Sequence, residues 1–171
     1  MTTAQPAGPE CQLCDGDATD ERFGRIRVWE DDLWRLSLSG RGYVRGFGYL
    51  EPKRHVPHIT DLDGKEAATF GTVLARVTSA LKEAAEAELV YVYVFGGGIP
   101  HLHVHLGPHR DGDALATDII RGEVDEERDA SGATRLVSRD FPEVSGEELR
   151  STAARARALL GHPPARLGGR E

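Results

Sequence analysis

From Arg25 the chain alternates in character. The stretch "RIRVWEDDLWRLSLSG" sets apolar side chains at about every second position on either side of the acidic pair Asp31 and Asp32, the period of two expected for a hairpin of paired strands. "GYVRGFGYLEPKRHV" follows as a glycine-punctuated aromatic strand ending at Pro52, which has no N–H to give a central ladder. The period then changes. In "DLDGKEAATFGTVLARVTSALKEAAEAE", Phe70, Val73, Leu74, Val77 and Leu81 recur at helical spacing, and Asp63 with Glu66 has the pattern of a capping box. "LVYVYVF" returns to strand chemistry, breaks at Gly96, Gly97 and Gly98, and finds a hairpin partner in "PHLHVHLGP". Past Arg110 the chain reads as acidic and irregular until "SGEELRSTAARARALLG", where Ser145 and Glu148 open a helix and Gly161 stops it.

Strands, one long helix, then strands again predict an α+β fold on an antiparallel sheet; βαβ alternation, the mark of a parallel sheet, is absent. The expected organisation is a flexible tail at 1–10, a domain over 11–110, and an extension over 111–171 carrying a helix at about 146–160. A chain of 171 residues is long enough for one such domain to bury its own core.

Charge narrows the partners. A formal net charge of −7 does not suit a protein that neutralises a nucleic acid backbone. It does not exclude a small anionic ligand, which needs only local donors such as Lys53, Arg54 or a histidine. "MTTAQPAGPE" lacks the basic and apolar regions of a secretory signal, and no apolar run is long enough to span a membrane. The expected compartment is the cytoplasm, where Cys11 and Cys14 would be reduced thiols or metal ligands.

Four of the seven histidines fall in "HLHVHLGPH", residues 101–109. On a strand His101, His103 and His105 would share one face, and Leu102, Val104 and Leu106 the other. Three readings fit such a row: a solvent-exposed strand, a His-x-His metal site, or a nucleophilic imidazole that forms a covalent intermediate. "CQLC" is equally open, as a redox pair, half of a zinc site, or two plain thiols.

"HLHVHLG" resembles the His-φ-His-φ-His-φ-φ signature of the histidine triad (HIT) superfamily, φ being apolar. "YLEPKRHV" resembles that family's strand and Pro-Lys-x-His segment, and the match spans about residues 11–110. The resemblance implies a HIT-like antiparallel sheet with one long packed helix, followed here by a C-terminal helical extension. It implies that His103 attacks the α-phosphate of a nucleotide, forming a nucleotidyl-histidine, while His105 contacts that phosphate or its bridging oxygen. A main-chain carbonyl near His105 would fix the tautomer of His103. Zinc-bearing relatives imply a structural zinc held by Cys11, Cys14, His55 and His101. Family members form homodimers, which the long helix and its adjoining strand would support here.

The departures from the family lie just ahead of the triad. "VYVFGGGIP" places Phe95 and Gly96 near the family's usual Asn, and Gly97 and Gly98 near its polar pair; Phe47 stands where a histidine often follows glycine. Gly97 and Gly98 are then expected to meet phosphate through backbone N–H groups, with His105 and His109 beside it. His58 reads as a surface or capping residue. The reading is a zinc-bearing HIT nucleotide hydrolase or nucleotidyltransferase, cleaving a phosphoric anhydride or phosphoramidate. The alternatives are a non-catalytic nucleotide-binding or interaction protein on the same fold, and an enzyme for a different phosphate ester.

Overall fold

The computed structural model describes residues 11–95, 99–113, 115, 124–128, 134–138 and 142–161, with 124–128 and 134–138 as backbone. The expected tail at 1–10, and Gly97, Gly98 and His162, lie outside them. Its elements are α1 (Gly16–Phe23), β1 (Arg25–Glu30), β2 (Trp34–Ser39), β3 (Gly48–Pro52), α2 (Gly64–Ala84), β4 (Leu89–Val94), β5 (Val104–His109), β6 (Val124–Arg128), β7 (Thr134–Ser138) and α3 (Gly146–Gly161). The first five strands form one sheet in the order β1-β2-β3-β5-β4. Every pairing in it is antiparallel, so the fold is α+β, as the patterning predicts.

Register assigns the two faces. Leu36 pairs with Leu50, which pairs with Val104, and Leu106 faces Gly48, so these aliphatic side chains make one continuous layer. The α2 helix lays Val73, Val77 and Leu81 onto it, and a fully covered Leu or Val contributes about 1.5–3 kcal/mol. Trp34 closes the layer, its indole N–H donating to Thr69 Oγ1 at 3.0 Å and its ring 5.6 Å from Phe70. The predicted apolar stripe of α2 is therefore the stripe that is covered.

The α3 helix joins the same core through Ala153, Ala156 and Leu160, and Arg76 of α2 donates to the Leu160 carbonyl at 2.5 Å. It packs against α2 and β1, on the face opposite His105. Arg45 pairs with Glu148 and Arg155 with Glu86, tying its first turn and its middle to the domain. Close packing reaches Gly46, where φ is +75° and the Cβ of any other residue would stand only 3.2–3.5 Å from Ala85, Thr152 and Pro108, so a side chain there would be strained.

Four local expectations are corrected. Asp63 does not cap α2 with its side chain, because Arg54 draws the Asp63 and Glu66 carboxylates into ion pairs. The segment past Arg110 is not wholly irregular: β6 and β7 pair antiparallel. An unanticipated helix, α1, precedes β1 and ends on Gly24 in the left-handed region at φ 61°. It covers the polar side of β2, so Arg35 and Ser37 are as buried as Leu36 and Leu38. Last, β5 begins at Val104, so His101 and His103 precede the ladder and do not share a strand face with His105.

At the far edge of the sheet, β4 leaves Val92 43% and Val94 42% exposed. Among the described residues no helix is long and apolar enough to cross a membrane.

Candidate functional site

Two clusters form where the chain crosses from β3 to β5. In the first, Cys11 and Cys14 stand on a tight turn closed by Cys14 N–H to the Cys11 carbonyl at 3.1 Å. The turn is pinned by fully buried Leu13, whose carbonyl accepts from Arg35. His55 comes from the connection after β3 and His101 from the turn before β5. Their four ligand atoms all lie within 4.8 Å of one another.

His101 Nε2 lies 3.0 Å from the Pro52 carbonyl. Donation there leaves the Nδ1 lone pair free, and Nδ1 sits 3.5 Å from Cys11 Sγ and 3.4 Å from Cys14 Sγ. Cys14 Sγ is also 3.4 Å from His55 Nδ1. Ligands of one tetrahedral zinc, with Zn–S of about 2.3 Å and Zn–N of about 2.0 Å, stand about 3.6 Å apart. The donor set, the spacing and the oriented imidazole all suit a closed metal site. Burial, reinforced by Cys11, pushes the metal-free Cys14 thiol up to about 11, the opposite of an activated redox thiol. Burial also holds His101 below its ordinary value.

In the second cluster, His103 Nδ1 lies 2.6 Å from the His101 carbonyl. The orienting carbonyl thus comes from two residues upstream, not from near His105, because at 101–103 the backbone has not yet entered the ladder. With its proton at Nδ1, the imidazole keeps Nε2 free as a nucleophile. His105 sits in the ladder between Tyr49 of β3 and Tyr93 of β4, its ring 5.1 Å from that of His103. Its Nδ1 is buried without a hydrogen-bond partner among the described residues. Burial first, then His103 and Arg25, hold His105 down to about 4 against the pull of Glu51, so at neutral pH it is an uncharged imidazole.

Sequence reading missed the charged row that runs between the two clusters. Glu51 is 2% exposed and accepts from Arg25 at 2.7 Å and from Arg35 at 3.0 Å. Arg35 reaches on to Leu13 beside the cysteines, while Arg25 lies over Tyr49 at 3.9 Å, next to His105. The available signal was a lone acid in the apolar run "YLEP", directly across the ladder from Arg35. Removing one partner of a buried ion pair costs about 3–5 kcal/mol because the remaining charge is left uncompensated. Glu51→Leu is expected to destabilise by that amount in denaturant unfolding, and a change under 1 kcal/mol would show the row to be dispensable.

Not every proposed residue reaches the pair. His109 stands at the opposite end of β5, about 13 Å along the strand from His105. There its Nδ1 meets Asp113 at 2.8 Å and its ring lies against Tyr91, so it does not join the His103 and His105 pair. Lys53 binds Glu30 and Arg54 binds Glu66, so neither is a spare cation. His58 is exposed, and its backbone N–H donates to Asp61 Oδ2 at 3.1 Å.

Comparison with known proteins adds an independent line. No family model matches the chain. An uncharacterized HIT-like protein of Mycobacterium tuberculosis is 27% identical over 130 residues, covering 71% of this chain and 85% of that one. The chain is similar in sequence and fold to histidine triad proteins. A bifunctional bis(5'-adenosyl)-triphosphatase/adenylylsulfatase of Arabidopsis thaliana is 26% identical over 114 residues, 64% of this chain and 63% of its own. A crystal structure of a zinc-bound histidine triad family protein from Mycobacterium smegmatis superposes with a TM-score of 0.57 at 24% identity, over 88% of this chain and 91% of that one. Within the histidine row of this chain the three side chains divide: His101 turns to the cysteines, and His103 and His105 face one another.

Proposed function

We propose that the protein is a hydrolase or nucleotidyltransferase that attacks the α-phosphate of a nucleotide through His103. The observation carrying this reading is the tautomer of His103, whose Nδ1 is engaged by the His101 carbonyl at 2.6 Å so that Nε2 is left to attack. Uncharged His105, with its buried Nδ1 unpartnered, is placed to hydrogen-bond the phosphate or the bridging atom. Water or another acceptor would then resolve the nucleotidyl-histidine. A relative named as a dinucleoside triphosphatase supports a nucleotide anhydride as substrate. Intact-mass measurement after mixing with dinucleoside polyphosphates, nucleoside phosphoramidates or sugar nucleotides should reveal one nucleotidyl adduct. No adduct and no turnover with any of them would leave a non-catalytic binding protein.

In the same reading, Cys11, Cys14, His55 and His101 hold a structural zinc. When bound, that ion cross-links the N-terminal turn to the sheet and leaves no coordination position for substrate. Homodimerisation belongs to the reading too, across edge strand β4, where exposed Val92 and Val94 would be covered by a second copy. Light scattering should return twice the chain mass, and Val92→Lys with Val94→Lys should return the monomer; a monomeric wild type removes the dimer.

A further inference from the structure

Aromatic rings crowd the His105 side of the sheet. Tyr49, Phe95 and Phe47 place ring centroids 5.4, 5.7 and 6.0 Å from His105. Tyr49 and Phe47 are partly buried, and Arg25 covers Tyr49. Phe95 is different: it is 53% exposed. Its ring stacks on Tyr93 at 5.8 Å and 15°, and Tyr91 continues the line 6.0 Å beyond. An apolar ring half in water beside a site imidazole fills no core. Stacked with a tyrosine, it presents a flat surface suited to a planar group.

We propose that Phe95 and Tyr93 are specificity-determining residues, forming a shelf for a planar aromatic group on the leaving side of the phosphate attacked by His103. This rests on the function proposed above. The shelf borders His105, the group assigned to the bridging atom, so its occupant departs with that atom. It must also be joined to the scissile bond through only a few atoms, as in an aryl or arylmethyl ester or amide of a nucleoside monophosphate. The distal nucleoside of a dinucleoside polyphosphate stands further off, beyond more phosphate and a ribose. In the step itself, His103 Nε2 forms a bond to phosphorus, and the P–O or P–N bond to the leaving group breaks. The leaving atom keeps that electron pair and takes a proton from water, while its ring remains on the shelf. The hydroxide left by that water then attacks phosphorus, and the P–Nε2 bond breaks with its electron pair returning to Nε2, releasing the nucleoside monophosphate and neutral His103.

A matched pair of adenosine 5'-phosphoramidates, one of benzylamine and one of cyclohexylmethylamine, tests this by the ratio of their kcat/KM values. Aromatic pairing beyond plain burial corresponds to a preference of about 10-fold. Wild type should favour the benzyl substrate by about that factor, Phe95→Leu should bring the ratio to about 1, and Phe95→Tyr should keep it. No preference in wild type, or a preference that survives in a folded Phe95→Leu protein, overturns the shelf alone and leaves His103 chemistry standing. Absence of turnover and adduct with both substrates overturns the reading of His103 and the shelf with it.

Discussion

His103→Ala is expected to abolish the nucleotidyl adduct and to lower turnover by at least about 10³-fold. The loss should be this large because no other described imidazole can substitute. His101 Nδ1 points at the cysteines, His105 is half-buried and held to about 4, and His109 is bonded to Asp113 at the far end of β5. The substitution removes a partly buried side chain whose only hydrogen bond among the described residues is to the His101 carbonyl, so the fold should survive. An adduct that persisted in His103→Ala would move the nucleophile elsewhere. The assay pH matters. His105 faces His103 from the segment just ahead of β5, Arg25 from β1, Tyr49 and Glu51 from β3, and Tyr93 from β4. Its folded value lies below its ordinary 6.5, so the unfolded chain binds the proton more readily. Its contribution to stability is complete above about 6.5 and is lost as pH falls toward 4. Acidification through that window should weaken fold and site together.

The second large effect concerns the metal. Wild-type protein is expected to carry one zinc per chain, and Cys14→Ala or a strong chelator to remove it and lower the melting midpoint by about 10–20 °C. The magnitude follows from a structural ion whose binding free energy is folding free energy. This fold has its own aliphatic core, so we count only about 5 kcal/mol, at about 2–4 °C per kcal/mol for a chain of this size. Elemental analysis and calorimetry check both halves, and wild type without stoichiometric zinc would end the proposal. The metal and the nucleophile are also linked through one residue. His101 turns its ring to the cysteines and its carbonyl to His103 Nδ1, so losing the ion should also loosen the aim of Nε2. Part of the activity should fall in Cys14→Ala even at temperatures where the protein is folded.

Much was legible without coordinates, because the signals were periodic. Alternation around Asp31 and Asp32 marked β1 and β2, and the spacing from Phe70 to Leu81 marked the covered stripe of α2, since burial on one face imposes a repeat of 2 or 3.6 residues. Ser145 and Gly161 likewise bracketed α3, and Ser145 Oγ does receive the Glu148 N–H at 3.2 Å. Where a reading of the chain did not hold, another charged side chain had claimed the group. Asp63 and Glu66 look like a cap until Arg54 arrives from another segment, and His109 looks available until Asp113 turns back to it.

"HLHVHLG" by itself determined that several imidazoles would gather beside an aliphatic layer, and resemblance to the superfamily named the chemistry. Only the tertiary structure decided that the three histidines are unlike. His101 is drawn out of the strand to lie against Cys11 and Cys14, His103 is aimed by a carbonyl, and His105 is stripped of charge by burial. The same holds for Glu51 between Arg25 and Arg35, and for Phe95 standing open beside His105. Sequence spacing specifies which neighbours a side chain has along its own strand. Charge, tautomer and exposure depend on what the other strands and α1 bring against it, and those contacts are made between residues up to 90 positions apart.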